Sequence, residues 1–240
     1  MTISIKQRYK ICRFAWLCIF PLASFAQTLP QATILLPPGP DMDLTVKYFN
    51  REKTPDGVLH ESSYAEKMIR RKGHVWSQRI LPSSANREPL DSNHEHKDFN
   101  YILLPRHVSY DGNNLAVEFI DTLERQVIHI APTEYENINF DGSWANTYFL
   151  VNPNDVAKMP ITSRTTAVTH AQWHELIKNG MYQRVLWDNK RNIPLIIETG
   201  DQAGNFLQRV EIRPNVQRVN ILPWNKLQGY AQKEYSDFLD

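Results

Sequence analysis

Histidine is the commonest metal ligand and the side chain whose charge changes nearest neutral pH, so the eight histidines of this 240-residue chain are the first residues to test for chemistry. His170 and His174 are four apart. On a helix they would share one face at a spacing that metal sites use. Ala171, not Glu, follows the first of them, so the base that zinc hydrolases place there is missing. Because the spacing alone is common, a surface or packing role accounts for the pair better. His94-Glu95-His96 could hold copper or zinc, yet it stands in a polar stretch where a solvated loop is the plainer reading. These four histidines are weak metal candidates, and no cofactor is expected.

Other chemistries find less support. No Gly-x-Ser-x-Gly elbow is present, and Ser62, Ser63, Ser77, Ser109 and Ser143 lie within or beside expected strands without a motif. The few glycines form neither a dinucleotide nor a phosphate loop. Asp121 with Glu124, or Glu134 with Glu136, could do acid/base work, but acidic residues are ordinary in turns. These residues argue for a non-enzymatic protein.

The elements that position them begin after an export signal. Lys6, Arg8, Lys10 and Arg13 precede an apolar run from Phe14 to Phe20 and a break at Pro21, and Ser24-Phe25-Ala26 fits the small-x-small rule for cleavage before Gln27. The run is shorter than the ~20 apolar residues of a membrane anchor. Ala15-Trp16-Leu17 ahead of Cys18 lacks the small residues of a lipoprotein signal. Both cysteines, Cys12 and Cys18, leave with residues 1–26, so the mature chain carries no disulfide or thiolate. The signal holds four of the 27 basic residues and no acidic one, which leaves 23 basic residues against 26 acidic. That balance disfavours nucleic acid, which needs a concentrated basic face. The expected location is the periplasm, with no transmembrane segment in the mature chain.

Residues 27–42 read as a proline-rich extended arm, and residues 43–240 as one β-rich domain. Leu44, Val46 and Tyr48 alternate with Thr45, Lys47 and Phe49, then Thr54-Pro55-Asp56-Gly57 makes a hairpin turn. Strands are expected through Val58–Arg71, His74–Leu81, Arg106–Tyr110, Leu115–Asp121, Val127–Ala131 and Trp144–Val151, with a polar loop at residues 83–98. Thr169 caps an expected helix over Ala171–Lys178, stopped at Gly180. Three more strands follow at Tyr182–Asp188, Pro194–Thr199 and Phe206–Ile212. The tail from Gln228 to Leu239 is read as a short helix docked through Tyr230, Tyr235, Phe238 and Leu239.

Large apolar and aromatic residues recur at alternating strand positions: Tyr48, Tyr64, Trp76, Phe119, Trp144, Tyr148, Trp187 and Phe206. Core packing is the default for any one of them. As a set they would line the concave face of a curved sheet, filling either a core or a ligand cavity.

The segment Val185 to Gly204, with its strand ending at Trp187-Asp188, polar turn, Pro194-Leu195 strand and Asp201-Gln202-Ala203-Gly204 hairpin, resembles the strand pair of periplasmic lipoprotein-carrier proteins of the LolA/LolB type and the related regulator RseB. Val46-Lys47-Tyr48-Phe49, the Gly57 turn and Arg79 after Trp76 are compatible with that family's opening strands. The resemblance implies an unclosed antiparallel half-barrel, short helices as a lid, and a hydrophobic cavity for a lipid or lipoprotein acyl chain. The alternatives are an envelope protein-interaction module without ligand and a metal-dependent enzyme using the histidines named above.

Overall fold

The structure, a computed structural model, describes residues 39–81 and 101–238. Residues 27–38 of the expected arm, the signal, the loop at 83–98 with His94 and His96, and Leu239 lie outside the described residues; the end of the expected arm already enters β1 at Met42. The expected half-barrel, mostly β, is the observed architecture: an open eleven-stranded sheet in the order β11-β6-β5-β4-β3-β2-β1-β10-β9-β8-β7. The strands are β1 Met42–Lys53, β2 Leu59–Arg71, β3 His74–Arg79, β4 Arg106–Tyr110, β5 Leu115–Asp121, β6 Gln126–Ile130, β7 Ala171–Lys178, β8 Met181–Asp188, β9 Ile193–Asp201, β10 Phe206–Pro214 and β11 Ala231–Glu234. Consecutive strands pair as two meanders, β1 to β6 and β7 to β10, and the long β1 joins them by pairing with β10. β7 and β11 are the outermost strands, β7 carrying a short bridge from Ile161 to His174 on its outer edge, and the sheet does not close among the described residues.

Three expectations are corrected. Ala171–Lys178 is a strand, not a helix, and pairs antiparallel with β8 down to Lys178 opposite Met181. Its cause is the Asn179-Gly180 dipeptide, with φ of 52° and 76°. Two successive positive φ values make the tight hairpin turn whose twist matches the flanking strands, and this overrides the apolar spacing of Trp173, Leu176 and Ile177. Trp144–Phe149 is a helix, α1, because the Ser143 side chain accepts from the backbone N–H of Asn146 and caps it. A second helix, α2, follows at Pro153–Lys158, capped by Asn152 with proline in its first turn. The tail forms β11 and a 3-10 helix, Tyr235–Phe238, rather than a longer helix. β11 runs parallel to β6, which makes the sheet mixed. Tyr235 is nevertheless buried, with Phe238 packed against the same core cluster.

The register sorts side chains to two faces. Leu44, Val46 and Tyr48 stand opposite Met68, Glu66 and Tyr64 on β2, and opposite Pro214, Ile212 and Val210 on β10. This face is covered by α1, α2 and the 3-10 helix Pro132–Ile138, and its buried residues form two apolar clusters, one around Leu44, Met68, Val185 and Trp187 and one around Val108, Val117, Phe119 and Ile128. No described helix is long and apolar enough to cross a membrane.

The Asn179-Gly180 turn is tested by Gly180→Ala. In the hairpin it forces Ala to a positive φ, and a loss of about 1 kcal/mol is expected in urea unfolding.

Candidate functional site

The helix-side face is built around one buried cation. Arg70 of β2 is 1% exposed. Its Nη1 donates to the Tyr148 carbonyl oxygen of α1 at 3.2 Å, and its Nε and Nη2 donate to the Pro40 carbonyl at 3.3 and 3.2 Å. The guanidinium also lies 4.7 Å from the Tyr148 ring centre and 5.5 Å from that of Phe149. Tyr148 donates its hydroxyl to the Gly39 carbonyl at 2.8 Å, and a Cβ at Gly39 would sit 3.1–3.2 Å from Phe149, Arg70 and Tyr148. One side chain thus ties the helix cover and the segment before β1 to the sheet. Burial pulls the Arg70 pKa down and pushes that of the Tyr148 hydroxyl up.

Further along the same face the lining turns aromatic and charged. Tyr48 and Tyr64 stack across β1 and β2 with ring centres 4.6 Å apart. Glu66 stands opposite Arg79 on β3, and Arg106 on β4 stands opposite Ser77. The Tyr48 hydroxyl lies 3.5 Å from the Glu66 carboxylate. Burial pushes the pKa of Glu66 up, against the lowering effect of Arg106 and Arg79, and burial is also the leading cause of the strongly raised Tyr48 pKa.

The eight aromatic candidates divide by place. Tyr148 and Trp187 are buried in the first apolar cluster, Phe119 in the second, and half-buried Trp144 packs against both. Tyr48 and Tyr64 form the stacked pair, and Phe206 stands opposite Glu52 at the far end of β1. Trp76 lies on the other face, opposite Ile69 and His107, under Leu222 and Trp224. Seven of the eight therefore belong to the helix-side face by register or packing, since Trp76 is out of phase with Val75. The weak metal candidates do not converge. His170 is exposed in the turn before β7, whereas His174 is buried with Nδ1 3.3 Å from the Met159 carbonyl. Among the described residues no three His, Asp or Glu side chains are grouped to hold a metal.

The other face holds a cluster that spacing did not indicate. His74 Nδ1 is 3.1 Å from His107 Nε2, and His107 Nδ1 is 2.9 Å from Glu118 Oε2. His129 Nδ1 approaches Glu118 Oε1 at 3.4 Å, while its Nε2 is 2.7 Å from Gln232 Oε1. The chain of contacts therefore crosses β3, β4, β5, β6 and β11. The Trp224 ring stacks on both His74 and His107, at 5.0 and 5.3 Å between centres. With Glu118 ionised, His107 Nδ1 must donate, and a neutral His107 then accepts from His74 at Nε2. Neighbouring carboxyls have plain structural uses. Asp121 Oδ1 accepts from the backbone of Leu123 and Glu124, and Glu134 accepts from the Ala131 N–H.

No protein-family model and no curated protein matches the chain. Solved structures to which it is similar include PNGF-II (TM-score 0.37, 10% identity, covering 83% of this chain and 32% of that one). Others are an uncharacterized conserved protein from Thermus thermophilus (0.38, 8%, 80% and 90%) and a LolA superfamily protein from Nitrosomonas europaea (0.32, 10%, 79% and 91%). The chain thus spans about a third of PNGF-II. The last of the three bears the family name that the local sequence resemblance carries. At these TM-scores and identities the likenesses carry no argument about ligand, partner or activity.

Two measurements follow from these contacts. Arg70→Lys keeps the charge but not the planar fork, and a loss of about 2–4 kcal/mol in unfolding free energy is expected from orphaned carbonyls and lost packing. For pH, burial, with His107 nearby, holds His74 below its ordinary value of 6.5. The hydrogen bond to His107 holds Glu118 below 4.5. Both groups bind protons less readily folded than unfolded, so both contributions are lost on acidification. Denaturation midpoints should fall first below pH 6.5 and again below pH 4.5. His74→Phe should remove the upper step, and a wild-type midpoint flat from pH 7 to 5 would refute the assignment.

Proposed function

We propose that the chain is a non-enzymatic binding or carrier protein of the periplasm, exported by a signal cleaved near Ala26, that holds a hydrophobic ligand, a lipid or a lipoprotein acyl chain, on the helix-side face of its sheet. The observation that supports this most is the slightness of the helical cover over so large an apolar face. Among the described residues, α1 and α2 have six residues each and lie over buried side chains from β1, β2, β3, β8, β9 and β10. α1 ends at Leu150 in a left-handed conformation, φ 65°, and a non-glycine residue there is an uncommon, strained terminus. Moving this cover would bare the face to a ligand, and binding would draw on apolar area removed from water, on the order of 25 cal/mol per Å². Tyr48, Tyr64, Phe119, Trp144, Tyr148, Trp187 and Phe206 are the contact candidates, with Trp76 supporting the sheet from behind.

A second reading, an envelope protein-interaction module, is favoured by the tip of the edge hairpin β7–β8, where Leu176, Ile177 and Met181 are exposed. The discriminating experiment is native mass spectrometry of the periplasmic protein followed by solvent extraction. A copurifying lipid or acyl species is expected, and Trp144→Ala should weaken binding of a lipid probe more than it lowers the melting temperature. A ligand-free mass together with a stoichiometric protein partner would replace the carrier with the interaction module.

A further inference from the structure

The helix-side face carries charge that a purely apolar ligand would not need. Arg79 and Arg106 come from adjacent strands and share that face with Tyr48, Tyr64 and Glu66. The Arg79 guanidinium lies 3.9 Å from the centre of the Tyr64 ring, and Arg106 lies 6.0 Å from that of Phe140 on the covering side. Each arginine has a buried Nε with no hydrogen-bond partner. Leaving a buried donor unsatisfied costs about 1–3 kcal/mol. The only carboxylate that the register places among them is Glu66, and no ion pair joins it to either arginine among the described residues. Among the described residues two guanidiniums thus face one partly buried carboxyl, and each keeps an unbonded Nε. A carboxylate or phosphate would satisfy both.

We propose that Arg79 and Arg106 form an anion-recognising end of the ligand face, with Tyr64 holding the Arg79 guanidinium flat, and that the ligand is an anionic amphiphile. Its head is a carboxylate or a phosphate and its tail lies along the apolar face. This rests on the carrier reading and narrows it. Arg79 stands level with Glu66 and Val46, and Arg106 level with Ser77, Met68 and Leu44, while the stacked Tyr48 and Tyr64 lie one register step beyond Glu66, so a chain leaving the head could run directly onto the aliphatic residues around Leu44 and Met68. On the outer face several charges are paired, although Arg51 Nε is buried and unbonded there as well. There Glu175 pairs with Arg184 at 2.6 Å, and Arg209 pairs with both Glu198 and Glu211.

The test uses the mature protein stripped of lipid and loaded with the neutral dye Nile red, displaced in turn by dodecanoate, dodecyl phosphate and dodecanol. The expected result is displacement by at least one anion at concentrations about tenfold or more below dodecanol, equivalent to about 1.4 kcal/mol. Whichever of dodecanoate and dodecyl phosphate wins identifies the head. In Arg79→Gln/Arg106→Gln the preference should fall to about twofold while dodecanol is unaffected, and Arg79→Lys/Arg106→Lys, which keeps the charge, should retain part of it. Melting curves confirm that each variant folds, and the lysine pair carries the test if the glutamine pair does not. Equal displacement by anions and alcohol, or a preference surviving in the glutamine variant, overturns the anion site and leaves the carrier reading standing. No binding of dye or displacement by any of the three overturns both.

Discussion

The architecture turns on placing a guanidinium where, among the described residues, no carboxylate forms an ion pair with it. Arg70 is a fixed cation inside the helix-side core, and such a charge is tolerated only when its donors are occupied. Its partners are carbonyl oxygens: that of Tyr148 in α1 and that of Pro40 before β1. A salt bridge would have joined two side chains and left the backbone free. Bonding to carbonyls fixes two stretches of main chain that the sheet's own hydrogen bonds do not reach. The aromatic rings of Tyr148 and Phe149 against the guanidinium complete its shell. This one residue therefore ties the helix cover to the sheet, beside the apolar packing of Tyr148, Phe149 and Val156 on the same face.

The sheet is not covered equally on its two sides. Across β2 to β5 both faces are buried, the outer one under Leu222, Trp224, Leu227 and Tyr230, which pack on Ile69, Trp76 and Ile120. Val75 and Trp76 are therefore both buried although they point to opposite sides. Around β7 to β10 the outer face holds a smaller apolar patch of Ala171, Trp173 and Leu186 beside a ladder of ion pairs. Most of those pairs are part-exposed and contribute little to stability singly. Their effect is on register, since an opposite-sign neighbour sits directly across each strand pair.

The strands of the first meander were legible because their turns announce themselves. Thr54-Pro55-Asp56-Gly57 closes with the Gly57 N–H donating to the Thr54 carbonyl, and Asp111 accepts from the N–H groups of Asn113 and Asn114. Asp188, fully buried, was legible in the same way as a turn residue, bonding the Lys190 and Arg191 N–H groups. The helix and strand assignments that failed did so where a local cap or turn outweighed a longer apolar pattern. Ser143 capping Asn146 beat the aromatic content of Trp144–Val151, and Asn179-Gly180 beat the spacing of Trp173, Leu176 and Ile177. The two polar clusters were illegible for another reason. His74, His107, Glu118 and His129 come from four strands, as do Tyr48, Glu66, Arg79 and Arg106, and only the cross-strand register brings them together.

That register gives the two clusters opposite characters. On the outer face each member of the histidine chain finds its next partner one strand away, with Trp224 over the two innermost rings, so the cluster is satisfied within the fold. A closed network of this kind rigidifies the sheet and offers no free valence to a ligand. On the helix side the same spacing across β2, β3 and β4 leaves two guanidinium Nε atoms buried and unbonded. Arg70 bonds through three donors, whereas Arg79 and Arg106 keep an unbonded Nε, as Arg51 does on the outer face of β1. What distinguishes Arg79 and Arg106 is that they stand on the adjacent strands β3 and β4, on the face covered by α1 and α2, beside the partly buried carboxyl of Glu66.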